Sequence, residues 1–223
     1  MKKKEHRTVF LTLRKREVRM EMNGKIGMEN NKQTTITKEE ISHMELITFP
    51  GRIVVVQSLR EAEKAVEYLR SLQVIGFDTE TKPAFRKGQK NKVALLQLSG
   101  NDYCFLFRLN IIGFPECLIQ LLKDPAILKI GLSIKDDYAT MRRLANFEPD
   151  GFVELQHFVK QFDIEEASLQ KIFALLFGRK ISKSQRVTNW EADVLTEGQK
   201  KYAATDAWAC LRIYEALNEA LDF

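Results

Sequence analysis

Three short stretches of the chain set carboxylates where folding alone gains little from them. Phe77-Asp78-Thr79-Glu80-Thr81 follows directly on the apolar run Val74–Phe77. Residues i and i+2 of a strand point to one face, so Asp78 and Glu80 stand side by side at a strand end. Two like charges that close raise each other's pKa, and a divalent cation removes that penalty. Hard oxygen ligands suit Mg²⁺ or Mn²⁺. The second stretch, Gly131-Leu132-Ser133-Ile134-Lys135-Asp136-Asp137, puts two acids where an apolar strand enters a helix. The third, Tyr202-Ala203-Ala204-Thr205-Asp206, stacks a phenol and a carboxylate at i and i+4 of a helix. Alanines 203, 204 and 207 let that helix approach a sheet closely. Each stretch also has an ordinary reading: a solvated turn, a helix-dipole partner (Asp136 above all), a tyrosine packed beside an exposed Asp.

Positioning these groups falls to elements that the residue pattern predicts. Ile53–Val56 is a β-branched run, and Ser58 then caps a helix that continues to Leu72. Val74–Phe77 is a buried strand, and Val93–Leu98 with Tyr103–Phe107 forms a hairpin around Ser99-Gly100-Asn101-Asp102. A helix opens at Pro115 and runs to Leu122. Strand Ile127–Leu132, helix Ile134–Asn146 and a short strand Gly151–Leu155 follow. Helix Ser168–Phe177, a basic loop through 178–189 and a helix Glu197–Leu221 complete the chain. This order predicts a mixed α/β fold, in which a mixed β-sheet of about five to six strands is flanked by helices.

The chain's 223 residues, 44% hydrophobic and 29% charged, suffice for one domain with its own core plus a tail. No apolar run approaches the roughly 18 residues a membrane span needs, so no membrane partner is expected. Cys104, Cys117 and Cys210 are widely spaced and form no CxxC. That disfavours a disulfide framework or a zinc site and suits a reducing cytoplasm. The basic N-terminus starts like a signal peptide, but its apolar stretch runs straight into Arg14-Lys15-Arg16. The formal charge is +5, of which residues 1–50 carry +4 and the remainder +1. Residues 1–45 are therefore expected to form a mobile N-terminal extension. Within it the capping box Thr37-x-x-Glu40 opens a short helix leading into a domain over 46–223.

Taken in order, D-x-E, then Asp, then Y-x-x-x-D makes a pattern that none of the stretches makes alone. In it the chain resembles the DEDDy group of 3′–5′ exonucleases, most of all the exonuclease domain of the Werner-syndrome type and more distantly bacterial ribonuclease D. The resemblance is carried by Phe77–Glu80, Lys92–Leu98, Asn189-Trp190, Leu195-Thr196 and Gln199–Ala207. It implies an RNase H-like exonuclease fold. Asp78, Glu80, Asp137 and Asp206 then match the family's metal-binding acids, with Ile134-x-x-Asp137 fitting the family spacing. Tyr202 matches the tyrosine that positions the attacking water. The implied cofactors are two divalent cations, Mg²⁺ or Mn²⁺, and the implied partner is the 3′ end of a nucleic acid, with DNA favoured. An RNA-trimming relative of ribonuclease D is the alternative. A non-catalytic nucleic-acid-binding module would be expected to have lost an acid.

For substrate contact, Lys82, Arg86, Lys87, Lys90 and Lys92 follow the first motif, while Arg179, Lys180, Lys183 and Arg186 precede Asn189-Trp190. Such residues either hold phosphates or are solvated loop charges. Phe85 and Trp190 either stack on terminal bases or pack inside. Lys92, Arg86, Trp190 and Arg186 are the selected candidates, and His157 is expected to be structural.

Overall fold

The computed structural model describes residues 34–83 and 91–219. The expected contact at Arg86, like those at Phe85, Lys87 and Lys90, lies outside the described residues, as does the extension up to residue 33. Helix α1 (Lys38–His43) opens on the predicted capping box: Thr37 accepts from the Glu40 amide while the Glu40 carboxylate accepts from the Thr37 amide. Residues 34–45 belong to the folded body, where the sequence places them with the extension. Ile41 is buried, the Ile36 amide donates to Glu166 at 2.8 Å, and Arg179 pairs with Glu45 at 2.7 Å.

The strands are β1 (Arg52–Val56), β2 (Val74–Thr81), β3 (Val93–Ser99), β4 (Tyr103–Arg108), β5 (Leu128–Gly131) and β6 (Phe152–Glu154). They form one sheet in the order β1-β4-β3-β2-β5-β6. The β2–β3–β4 meander is antiparallel, and β1, β5 and β6 join parallel to their neighbours. The sheet is mixed, as the element order predicts.

Helix α2 (Leu59–Leu69) is capped by Ser58 and buries Ala62, Ala65, Val66 and Leu69, one face at helical spacing. With α4 (Glu116–Lys123), which follows the short α3 (Leu109–Ile112), it covers one side of the sheet over Ile75, Phe77, Leu96 and Leu98. Helix α5 (Ile134–Met141) is shorter than its pattern suggests, the chain turning away after Arg142. The other side carries α6 (Leu155–Phe158), a 3₁₀ turn (Val159–Phe162), α7 (Leu169–Phe177) and α8 (Glu197–Glu219). His157, expected to be structural, is exposed on α6.

Helix α8 starts on a second capping box, in which Thr196 and Gln199 each accept from the other's backbone amide. Gln199 also donates to Thr188 and to the Asn189 carbonyl, which ties the preceding loop to the helix. The alanines of α8 lie against β2. A Cβ at Gly76 would come within 1.9 Å of the Ala207 carbonyl oxygen, so only glycine fits where helix and strand cross.

Candidate active site

Strand β2 carries Asp78 and Glu80 within its length rather than just beyond its end. Pairing with β3 extends it: Asp78 lies opposite Gln97 and Glu80 opposite Leu95, with the register shifting only between Glu80 and Thr81. Gly76, Asp78 and Glu80 share the face that meets α8. There Tyr202 and Asp206, one turn apart, are 8% and 9% exposed. Oxygens of Asp78, Glu80 and Asp206 all lie within 4.8 Å of one another.

Asp137 comes from the first turn of α5 and stands beside the trio. The Thr79 hydroxyl donates to it, while its neighbour Asp136 is exposed. Of the adjacent pair, Asp137 is thus the one turned toward the trio. Ser133, which precedes α5, is left-handed (φ 63°) and offers no side-chain cap. The Glu154 carboxylate takes over, accepting from the Ser133 amide at 3.0 Å and the Ile134 amide at 2.8 Å.

Burial is the first cause of every pKa shift in the cluster, and repulsion by neighbouring acids follows for Asp78, Glu80 and Asp137. Asp78 is held well above the carboxylate range by burial and by Asp206. Glu80 is pushed up to about 10 by burial, Asp78, Asp206 and Asp137, against the pull of Arg186. Asp137 rises to about 8 through burial and Asp78, with the Thr79 hydrogen bond opposing. Asp206 rises to about 7 through burial, with the Tyr202 hydrogen bond and the Lys183 charge opposing. Tyr202 is raised well above the phenol range by burial and Asp206, so it stays protonated and donates to that acid. Oxygen donors from three converging acids, whose burial and repulsion Arg186, Lys183 and the Tyr202 hydrogen bond offset only in part, are a fitting seat for a hard divalent cation.

Asp78, Asp137, Tyr202 and Asp206 line a cavity of about 440 Å³ that also reaches Lys183, Arg186 and the start of α7. Arg186, one of the expected phosphate contacts, therefore reaches the site, and Lys183 with it. Lys92 is exposed ahead of β3, outside the cavity lining. Arg179 and Lys180 serve α1 instead, pairing with Glu45 and the Ser42 carbonyl, and Lys82 pairs with Glu191 at 3.2 Å.

The stacking role considered for Trp190 is corrected. Its ring has no exposed surface and packs against Tyr202 at 6.0 Å between ring centres, so no base can stack on it. Apolar burial next to α8 outweighs what an exposed ring would gain.

Sequence reasoning assigned no role to Thr79, Glu154 or Gln97. Thr79 lies inside the D-x-E motif, and its hydroxyl was the available signal. Locally Glu154 reads as the N-cap of α6, accepting from the Gln156 amide at 3.2 Å, while the two amides it holds at the start of α5 lie twenty or more residues away.

Comparison with known proteins adds kinship to this geometry. The family described as 3′–5′ exonuclease matches residues 53–222. The mouse protein named bifunctional 3′–5′ exonuclease/ATP-dependent helicase WRN is 32% identical over 200 residues, which is 85% of this chain but 14% of that protein. The EXO domain of Nibbler from Aedes aegypti is similar in fold, with a TM-score of 0.69 at 24% identity over 79% of this chain and 93% of that one. Escherichia coli RNase D, described as an exoribonuclease involved in structured RNA processing, gives 0.67 at 22% identity over 77% of this chain and 45% of that one.

Proposed function

Because the chain belongs to the 3′–5′ exonuclease family, we propose that it hydrolyses phosphodiester bonds from the 3′ end of a nucleic acid, releasing nucleoside monophosphates in a reaction that needs divalent cations. The observation that carries this reading is the convergence of Asp78, Glu80 and Asp206 within 4.8 Å, on a strand and a helix far apart in sequence. Asp78, Glu80 and Asp206 would hold one cation, and Asp137 would support a second beside Asp78. Two bound Mg²⁺ or Mn²⁺ ions would supply a water acidic enough to ionise at neutral pH and offset the charge of the departing 3′ oxygen.

The remaining work falls to side chains of this chain. Tyr202 keeps its proton, so it orients the attacking water by hydrogen bonding and does not act as its base. Thr79 fixes the rotation of Asp137. Lys183 and Arg186, at the cavity wall, meet the phosphates that approach an otherwise acidic site. DNA is the favoured substrate because the motifs resemble those of the Werner-type domain, and an RNA 3′ end is the alternative. Both would use the same acids.

The test is digestion of end-labelled DNA and RNA, single- and double-stranded, with Mg²⁺ or Mn²⁺ and with EDTA. The expected result is a ladder shortening from the 3′ end one nucleotide at a time, absent in EDTA and in Asp78→Ala. Hydrolysis that persists in EDTA, or in Asp78→Ala combined with Asp206→Ala, would refute the assignment.

A further inference from the structure

Gln97 stands in the middle of β3 with no exposed surface, and neither its Nε2 nor its Oε1 has a hydrogen-bond partner. Among the described residues only Trp190 Nε1 is in the same condition. A buried amide with nothing to bond costs free energy that an apolar side chain of similar size would not, so its presence asks for a use.

Its position supplies one. Gln97 is the cross-strand partner of Asp78. Directly opposed residues of an antiparallel pair share a face, with Cβ atoms about 4.5–5.5 Å apart. That face looks onto α8, where the contact at Gly76 leaves no room for a side chain. On its other flank Gln97 meets Leu106 of β4, which is apolar. Other polar groups nearby are engaged. Ser99, two residues along the same face, donates to the Gly100 carbonyl, and Thr205 of α8 bonds the Lys201 carbonyl and the Phe49 amide. Asp206 has Tyr202. The Asp78 carboxylate is left as the polar group directly beside the amide.

We propose that Gln97 is a positioning residue for Asp78: its amide N–H donates to the Asp78 carboxylate when a divalent cation is bound, and so holds the other carboxylate oxygen toward the ion. This rests on the metal-dependent reading of the site. A carboxylate anchored by an outer hydrogen bond loses rotational freedom before the ion arrives, which raises the affinity of the site. Because the amide has no partner within the protein scaffold, it contributes nothing to the fold that an apolar side chain could not.

The experiment uses the full chain and its Gln97→Met and Gln97→Leu variants. Mn²⁺ binding is followed by titration calorimetry, thermal unfolding is followed in EDTA, and the Mn²⁺ dependence of 3′-end digestion is recorded. Both variants are expected to melt at or above the wild-type temperature in EDTA while binding Mn²⁺ about 10–100-fold more weakly. Half-maximal digestion should need a correspondingly higher Mn²⁺ concentration. Wild-type Mn²⁺ affinity in either variant overturns the proposal. So does unfolding of both variants below wild type in EDTA, which would show the amide to be part of the scaffold. A wild-type protein that binds no Mn²⁺ and digests nothing instead overturns the reading of the site itself.

Discussion

Lys129 on β5 and Asp78 on the adjacent β2 both take a charge into the same sheet, but into opposite surroundings. Lys129 has no exposed surface, yet its ammonium donates to the Asp124 carbonyl at 2.7 Å, reaches the Leu121 carbonyl at 3.5 Å and lies 5.1 Å from the centre of the Phe152 ring. Arg108, 1% exposed, likewise gives its guanidinium to the carbonyls of Ala192 and Asp193 and to the Asn110 side chain. These cations are compensated from within the scaffold. Asp78 is surrounded by Glu80, Asp137 and Asp206, which share its sign. A buried charge that is satisfied belongs to the fold, whereas one set against its own kind awaits something from outside.

The sharpest way to break this contrast is to remove an acid. Asp78→Ala or Asp206→Ala should cut 3′-end hydrolysis by at least the order of 10²–10³-fold, while the melting temperature in EDTA holds or rises. Loss of folding together with activity would make the cluster structural, and the contrast would collapse. On the compensated side, Arg108→Met should cost about 2–4 kcal/mol in chemical denaturation, since two carbonyls in the loop before α8 and the Asn110 side chain of α3 lose their donor. A cost below about 0.5 kcal/mol, the range of ordinary surface changes, would mean that the loop holds itself.

Opposite pH trends sharpen the comparison further. Lys129 is lowered from 10.5 to about 8, chiefly by burial. Between those values the unfolded chain binds more protons than the folded one, so this residue's contribution makes stability rise with pH there. Lys129→Met should abolish that rise in melting curves. The acids run the other way. Glu80, Asp137 and Asp206 are raised from 4.5, 3.8 and 3.8 to about 10, 8 and 7. The folded state then holds the extra protons. In EDTA, stability from this cluster is full below about pH 4 and is lost as pH climbs through about 7 to 10. Asp206→Asn should flatten the trend, and saturating Mg²⁺ should oppose it. Melting temperatures recorded from pH 4 to 10 check both signs.

The smallest effect is expected at Trp190, which lies between the two regimes, apolar in packing but with its indole N–H unpartnered. Trp190→Phe should cost only about 1 kcal/mol, and digestion should fall by less than about tenfold, through looser support of Tyr202. A larger loss of activity at unchanged stability would give the ring a part in the site beyond packing.

Most of the element order was legible because local periodicity states it. The β-branched run of β1, the hairpin of β3 and β4, the Ser58 and Thr37 caps and the alanine face of α8 all appear where the pattern predicts. Boundaries moved where pairing overrode propensity: β2 runs on through Thr81 because β3 supplies its ladder, and α5 ends at Met141. Within the site, Asp78, Glu80, Tyr202 and Asp206 could be paired by spacing alone. Trp190 could not be assigned, since an aromatic ring beside a basic loop looks the same in sequence whether it faces a base or the core.

What the sequence determined by itself was the set of acids, their order along the chain and the elements that carry them. These follow from residue type and from spacing within a single strand or helix. Only the tertiary structure decided that Asp137 rather than Asp136 turns inward, that Glu154 caps α5 from twenty residues away, that Trp190 is core, and that Gln97 lies beside Asp78. Each of these depends on which segments meet across the sheet, and a contact between distant segments is set by packing the whole core at once, which no local pattern encodes.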